Sequence, residues 1–228
     1  KTPRVAMLIG NGVRSYEAGE VWHLLDTRVD MPITKISINY FERVSLDKYN
    51  ILIMVSGNYK FDSKITEKIK NWVSKGNTLI TIGSANNWAI KKKIVKEELV
   101  IQKKDTIKNK LDRKPYVDAR ENIGRERLGG VFIGVDIDKT HPIGFGYNDK
   151  NQVIYKNNLV WLKFSKNDYS NVVVYKNNPH VDGYISKNIK KEFLPKSASL
   201  LISKVDKGKV IMFADNPNFR GTAYGTNR

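Results

Sequence analysis

The sequence predicts an α/β fold: a three-layer arrangement with a mostly parallel central sheet, to which the second half of the chain adds antiparallel strands. Apolar runs without polar alternation occur at 4–10 (RVAMLIG), 51–57 (ILIMVSG) and 78–84 (TLITIGS). Such runs are typical of parallel strands that are buried on both faces. Amphipathic helical segments separate the runs, which favours helices on both faces of the sheet. We therefore expect the three runs to be neighbouring parallel strands at the sheet centre.

The first hundred residues are predicted to follow the order β-α-β-β-α-β-α. After the first strand, Ser15 is placed to cap a helix, because its hydroxyl can accept from a free amide of the first turn. The second strand is predicted at 33–41 (ITKISINYF). After the fourth strand, Asn86 or Asn87 is placed to cap the next helix.

The segment 62–76 carries the clearest helical pattern. Either Asp62 or Ser63 can cap its start, and Gly76 fits the position just after its end. Its apolar residues recur at helical spacing and form one stripe: Ile65, Ile69, Trp72 and Val73.

The pattern changes after residue 100. Residues 101–129 are polar and are predicted to form an excursion or long loop. A hairpin is predicted at 198–215, turning through 206–208 (DKG). We interpret residues 1–228 as a single domain. Between the polar residues 101–129 and the hairpin at 198–215, short runs separated by turn residues predict antiparallel strands. These strands are predicted at 130–137, 153–158, 159–164 and 171–176.

Composition limits the classes of partner. The chain has 40 Lys+Arg against 23 Asp+Glu, a net charge of +17, which raises nucleic acid as a partner. The densest lysine run, within 91–110, lacks interleaved aromatic residues, so we do not expect nucleic-acid binding.

There is no apolar run of 18 residues and no cysteine, so we expect no membrane span, disulfide or thiolate metal site. The sequence opens almost directly into a strand and stops in turn-like residues without a closing helix, which favours a fragment of a longer protein.

Polar residues follow the three central strands where each strand ends. Open α/β sheets bind ligands beyond the carboxyl ends of their strands. The side chains that follow these ends predict one possible cleft, lined by Asn11, Asn58, Ser84, Asn86 and Asn87.

Ser84 lies on a strand-turn-helix corner of the kind that carries nucleophiles in many α/β enzymes. A serine hydroxyl needs a base, and the candidates among the three histidines are His141 and His180. The other interpretation is that Ser84 and Asn86 satisfy backbone groups at the corner. No metal-binding spacing is present, so we expect no metal site and no cofactor in these residues.

The corner Gly83-Ser84-Ala85 resembles the nucleophile elbow of class I glutamine amidotransferase-like domains, which are flavodoxin-like. That family carries G-x-C-x-G at the elbow and a His-Pro-Glu after a late strand. Here Ser84 or Ala85 falls at the cysteine position, and the late strand 210–213 leads into Ala214-Asp215-Asn216-Pro217 without a histidine. The resemblance implies that the fold is kept while nucleophile and base are missing.

A second resemblance covers nearly the whole chain. It is carried by 138–147 (DKTHPIGFGY), 216–222 (NPNFRGT) and 224–228 (YGTNR). These segments resemble the C-terminal amidotransferase-like domain of large secreted bacterial zinc carboxypeptidases of the carboxypeptidase A type. The resemblance implies an N-terminal peptidase domain in the same chain as partner, zinc held by that domain, and a secreted or periplasmic location. The H-x-x-E zinc motif has no counterpart here.

Two functional hypotheses follow. In the first, the chain is a non-catalytic accessory domain of a secreted zinc metallocarboxypeptidase, which packs against its neighbour or binds a ligand such as peptide or glycan. In the second, it is a serine hydrolase that uses Ser84 with His141 or His180. They differ in whether a base lies within hydrogen-bond reach of the Ser84 hydroxyl.

Overall fold

A computed structural model describes residues 2–101, 115–120, 124 and 128–220. Within these ranges, eleven strands form one mixed sheet flanked by helices. The strands are β1 (Val5–Ile9), β2 (Ile33–Ser37), β3 (Ile51–Met54), β4 (Thr78–Ile82), β5 (Val131–Ile137), β6 (Asn151–Lys156), β7 (Leu162–Lys163), β8 (Asn171–Tyr175), β9 (Val181–Asp182), β10 (Ser197–Val205) and β11 (Gly208–Phe213). The α-helices are α1 (Ser15–His23), α2 (Ser63–Ser74), α3 (Ala85–Lys91) and α4 (Lys187–Glu192).

The sheet is parallel in one half and antiparallel in the other. Its main path runs β2-β1-β3-β4-β11-β10-β8-β5-β6, with β7 paired to β10 and β9 to β5. The pairs from β2 to β11 are parallel, and those from β11 to β6 are antiparallel. The prediction that the runs at 4–10, 51–57 and 78–84 are adjacent parallel strands is confirmed. The sheet as a whole is mixed, because the second half connects its strands mainly without crossover helices.

The predicted hairpin is confirmed, and it completes the centre of the sheet. Strands β10 and β11 pair antiparallel from Leu200↔Phe213 to Val205↔Gly208. The two-residue turn begins at Asp206, whose φ is +49°, a conformation that suits a tight hairpin. The other edge of β11 pairs with β4, so β11 lies between the two halves of the sheet.

Helices cover both faces of the parallel half. Residues Ala18 and Val21 of α1 pack on one face of β1, β3 and β4. On the other face, α2 and α3 bury Ile69, Trp72 and Trp88 against the sheet. This sandwich explains why the central strands are apolar without alternation. No described helix has the length and apolar character needed to cross a membrane.

The helix starts were predicted with mixed success. The Asp62 side chain accepts from the Ile65 amide at 2.8 Å and caps α2. The prediction for Ser15 is wrong, because Ser15 is already helical and Arg14 is the capping residue. The predictions for Asn86 and Asn87 are also wrong, because Ser84 takes the capping position of α3.

Two predicted segments differ or fall outside the described residues. The second strand ends at Ser37 instead of continuing to 41, because the chain turns there and enters a 3₁₀ turn at Phe41–Arg43. The predicted excursion at 101–129 and the carrying segment 224–228 lie largely or wholly outside the described residues. Within the excursion, Tyr116–Asp118 form a 3₁₀ turn. The single-domain interpretation stays a prediction.

Candidate functional site

The Ser84 side chain is held by the backbone of the neighbouring strand end. Its Oγ accepts from the Gly57 amide at 3.0 Å and donates to the Gly57 carbonyl at 3.3 Å. The Ser84 amide donates in turn to the Ser56 Oγ at 3.1 Å. Gly83 makes this approach possible: its φ is +57°, and a Cβ there would lie 2.1 Å from the Ser56 Oγ. These contacts match the interpretation of Ser84 as a residue that satisfies backbone groups at the corner.

The ends of β1 and β3 are joined by similar contacts. The Asn58 amide donates to the Gly12 carbonyl at 2.7 Å, and the Arg14 amide donates to the Ser56 carbonyl at 2.9 Å. From α1, the Glu17 carboxylate accepts from the Ser56 amide at 2.9 Å. The three strand ends therefore form one hydrogen-bonded corner in which most polar backbone groups are already paired.

The structure does not bring either candidate histidine to Ser84. Among the described residues, no histidine is hydrogen bonded to it. The Nδ1 of His141 accepts from the Ile143 amide at 3.1 Å, within its own turn. The His180 carbonyl accepts from the Gly134 amide of β5 at 2.8 Å, and the side chain is exposed.

The sheet order gives the separation of His180 from the corner. Because β6 takes one edge of β5, both β8 and β9 lie along the other edge. Strands β10 and β11 then separate the β8–β9 position from β4. Measured along the sheet, three strand spacings correspond to roughly 14 Å. His180 therefore belongs to a part of the sheet that does not neighbour the Ser84 corner in strand order.

The asparagines of the predicted cleft fall into two groups. The Asn86 side chain is fully buried: its Oδ1 accepts from Thr81 Oγ1 at 2.6 Å, and its Nδ2 donates to the Gly83 and Phe213 carbonyls. It braces β4 against β11 and does not face a ligand. Asn11, Asn58 and Asn87 are exposed around the corner. A ligand cleft lined by these three and Ser84 stays a prediction.

A larger concave site lies beside this corner, at the carboxyl end of β11. It is a cavity of about 860 Å³ between α1, the sheet and the end of the described chain. Its floor consists of apolar side chains on one sheet face, including Ile80, Ile82, Val173, Leu200 and Phe213. The α1 side contributes Val21, Leu24 and Leu25, and the opposite wall comes from β6 and the loop after β5.

Stacked aromatic rings close one side of this cavity. The Tyr155 and Phe219 rings stack with centroids 4.0 Å apart, and Phe132 lies 5.3 Å from Tyr155. The contacts require the antiparallel half of the sheet to curl, since β6 is at its far edge while Phe219 follows β11. Curling brings the end of β6 back to the carboxyl end of β11.

The same curl buries a polar network around Asp215. Lys156, at the end of β6, has no exposed surface, and its Nζ donates to Asp215 Oδ1 at 2.9 Å. The hydroxyls of Tyr175 and Ser199 both donate to Asp215 Oδ2, at 2.6 and 2.7 Å. Lys156 Nζ also contacts the Val160 carbonyl at 2.7 Å and Asn158 Oδ1 at 3.3 Å. Three acceptors match the three donors of a protonated ammonium, so the network contains a buried ion pair.

Burial shifts the protonation equilibria of this network. Burial lowers the pKa of Lys156 from its ordinary value, while the Asp215 carboxylate opposes that shift. Burial raises the pKa of Tyr175 well above its ordinary value, and the Asp215 charge adds to the shift. Tyr175 therefore stays a neutral donor to the carboxylate near neutral pH.

Asp215 and Ser199 line the cavity, whereas Lys156 and Tyr175 lie behind them. Sequence reasoning noticed Asp215, because it follows a buried strand where the resembling family has histidine. It missed Lys156, which is 59 residues away in the chain and looks like a surface lysine of a polar β-like run. No local signal marks it, since its burial depends on the curl of the sheet.

The described residues contain no group of three His, Asp or Glu side chains arranged to hold a metal ion. Nor do they pair Ser84 with a base. The cavity is mostly apolar, and its polar end includes the Asp215 carboxylate, which is paired with Lys156, and the Ser199 hydroxyl.

Comparisons with known proteins bear on the fold. No protein-family model matches the chain, and no curated protein matches it. Among solved structures, it is similar to a ThuA-like protein from Parabacteroides merdae, with 8% identity and a TM-score of 0.59, over 94% of this chain and 79% of that one. A ThuA-like protein from Bacteroides uniformis aligns with 9% identity and a TM-score of 0.55, over 93% of this chain and 81% of that one.

A third solved structure is described as a GMP synthase subunit from Thermoplasma acidophilum. It aligns with 9% identity and a TM-score of 0.55, over 96% of this chain and 86% of that one. Likeness at these identities shows the fold alone. This chain therefore shares the fold of the two ThuA-like proteins and of that GMP synthase subunit.

Proposed function

We propose that this chain is a non-catalytic ligand-binding module with an amidotransferase-like fold. Its elbow is a structural corner, and its ligand site is the cavity at the carboxyl end of β11. The observation that carries the proposal is the Ser84 hydroxyl, which both accepts from and donates to the Gly57 backbone. A nucleophile needs a base within hydrogen-bond reach of its proton. The Ser84 hydroxyl proton is donated instead to the Gly57 carbonyl, which is not a base.

The residue that replaces the family's histidine supports the same proposal. A general base must be able to take a proton from the nucleophile. Asp215 is held in an ion pair with Lys156 and accepts two hydroxyl donors. Its oxygens accept from these three donors, and no hydrogen bond among the described residues links them to Ser84.

We further propose that the module is the accessory domain of a secreted or periplasmic zinc metallocarboxypeptidase. This part rests on the resemblance of the segments at 138–147 and 216–222. In that setting, zinc belongs to a peptidase domain in the same chain, which is also the module's packing partner. Determining the mass, terminal sequence and zinc content of the native protein tests it. A native protein without a peptidase domain would contradict this part and leave the binding role standing.

The test of the non-catalytic role is labelling with a fluorophosphonate probe, which reacts with activated serine hydroxyls. We expect no adduct on the intact chain and no difference from the Ser84→Ala variant. A known serine hydrolase under the same conditions is the positive control. A stoichiometric adduct on Ser84 that disappears in the variant would show that the serine hydrolase hypothesis is right.

A further inference from the structure

We propose that the cavity beside β11 takes an uncharged, mostly apolar small molecule that carries a hydroxyl or other neutral hydrogen-bond donor at one end. The inference rests on the proposed function, because it assumes a site that binds without turning its ligand over. It narrows the ligand from peptide or glycan to a compact amphipathic molecule. Three observations support the inference: the size and lining of the cavity, the hydrogen bonding at its Asp215 end, and the amide side chains at its rim.

The size and lining of the cavity favour a compact apolar body. Its volume of about 860 Å³ lies within the roughly 300–1,000 Å³ of small-molecule sites. Isoleucine, leucine, valine and phenylalanine side chains form the floor and the α1 wall. Stacked rings of Tyr155 and Phe219 add a flat apolar side. Such surfaces favour a molecule that buries most of its area without needing hydrogen bonds.

The polar end of the cavity favours a neutral donor. A carboxylate offers about four acceptor sites, and Asp215 uses three of them for Lys156, Tyr175 and Ser199. Among the described residues no donor takes the fourth position, and Asp215 lines the cavity, so this acceptor can serve a ligand. Because Lys156 already neutralises the Asp215 carboxylate, a cationic head group finds no unpaired negative charge at this end of the cavity. An anionic head group has no proton to donate to the remaining Asp215 acceptor, so it forms no hydrogen bond there.

Two amide side chains near the rim are engaged with the protein. The Asn216 side chain donates to Glu20 Oε2 at 2.6 Å and accepts from the Asn218 amide at 3.0 Å. The Gln152 side chain donates to the Asp149 carbonyl at 3.0 Å. A glycan would bury several hydroxyls here that lack enough partners, and buried unpaired polar groups are unfavourable. A ligand with a single polar end meets this arrangement better.

The test is a competition assay on the intact chain, with Nile red as the fluorescent reporter of an apolar cavity. Three competitors share one ten-carbon chain and differ in their head groups: 1-decanol, decanoate and decylammonium. We expect Nile red to bind with 1:1 stoichiometry and a blue-shifted emission. We expect decanol to displace it at concentrations at least tenfold lower than either charged competitor. Equal potency of a charged competitor, or no Nile red binding, would overturn the proposal.

Variants locate the binding site. Leu24→Arg places a long charged side chain on the α1 wall and is expected to weaken Nile red binding at least tenfold. Val29→Arg is the matched control, because Val29 directly follows the π-helical turn Leu24–Arg28, is half exposed and does not line the cavity. Ile143→Arg, on the opposite wall, repeats the test if Leu24→Arg does not fold, as judged by circular dichroism. Unchanged binding in a folded wall variant would refute the assigned site.

The two proposals fail in different ways. A fluorophosphonate adduct on Ser84 would refute the non-catalytic role, whatever binds in the cavity. A chain that is not labelled and binds none of the neutral probes would refute the ligand inference alone.

Discussion

Replacing Lys156 with Met should unfold the chain at a much lower temperature. The change keeps the side-chain volume similar but leaves the Asp215 charge buried, with side-chain exposures of 0% for Lys156 and 6% for Asp215. Breaking a buried pair by removing one partner typically costs about 3–5 kcal/mol. For a domain of this size each kcal/mol corresponds to roughly 2–4 °C in the melting temperature. We therefore expect a fall of roughly 6–20 °C, measured by circular dichroism.

The matched control is the pair of Lys64 and Glu42. Its N–O distance of 2.8 Å is close to the 2.9 Å of the buried pair, but its side chains are 77% and 52% exposed. Water and salt already solvate these charges, so Lys64→Met should leave the melting curve unchanged within replicate scatter. Equal effects of the two lysine variants would mean that burial is not what makes the Lys156 pair important.

A double-mutant cycle isolates the ion pair from the lost packing. Lys156→Met combined with Asp215→Asn removes both charges, and the Asn side-chain oxygen can still accept from Tyr175 and Ser199. The double variant should be more stable than Lys156→Met alone, with a coupling of at least ~1 kcal/mol. Additive single effects, or a Lys156→Met variant that melts within about 2 °C of the parent, would refute the buried ion pair.

Three further predictions concern single residues. Tyr59→Phe should cost about 1 kcal/mol near neutral pH by removing the hydrogen bond to the Val55 carbonyl. Because burial, and then the Glu17 charge, raise the pKa of Tyr59, only the unfolded chain ionises it above pH ~10. The parent should then lose up to ~1.4 kcal/mol per pH unit more than Tyr59→Phe in urea unfolding, whereas Tyr116→Phe, 94% exposed, should show no such difference. Gly83→Ala should cost about 1–3 kcal/mol through its clash and positive φ, while Gly19→Ala, with open space around it, should raise stability by up to ~1 kcal/mol; equal melting temperatures would contradict the tight corner. Asp62→Ala should cost about 1 kcal/mol and speed hydrogen exchange of the Ile65 amide, and unchanged exchange would argue against the cap.

Local patterns were enough to predict the framework of the fold. Helices cover both faces of the central strands, so both faces need apolar side chains. The lack of polar alternation at 4–10, 51–57 and 78–84 therefore predicts their burial directly. The hairpin at 198–215 was also readable, since its turn residues lie between two apolar runs. The helix caps were predicted less well. The Asn86 side chain bonds to β4 and β11 instead, and is therefore unavailable to cap α3.

The candidate site depends on contacts that no local pattern contains. Lys156 meets Asp215 only because the far edge of the sheet curls back to β11. A lysine in a polar run predicts an exposed side chain, and its burial follows from the position of strands almost sixty residues apart. By contrast, the cleft predicted from Asn11, Asn58, Ser84, Asn86 and Asn87 rests on a general rule about strand ends and stays a prediction. The same rule did not single out the residues that line the cavity beside β11.

The central position of β11 has a consequence for how the chain is made. Strands β1 to β4 lie between Val5 and Ile82, yet the partner of the second edge of β4 begins only at Gly208. During translation, β4 therefore presents an unpaired apolar edge while more than a hundred further residues are added. Such edges recruit other strands. We therefore expect ribosome-bound chains of intermediate length to aggregate more readily than the complete fold.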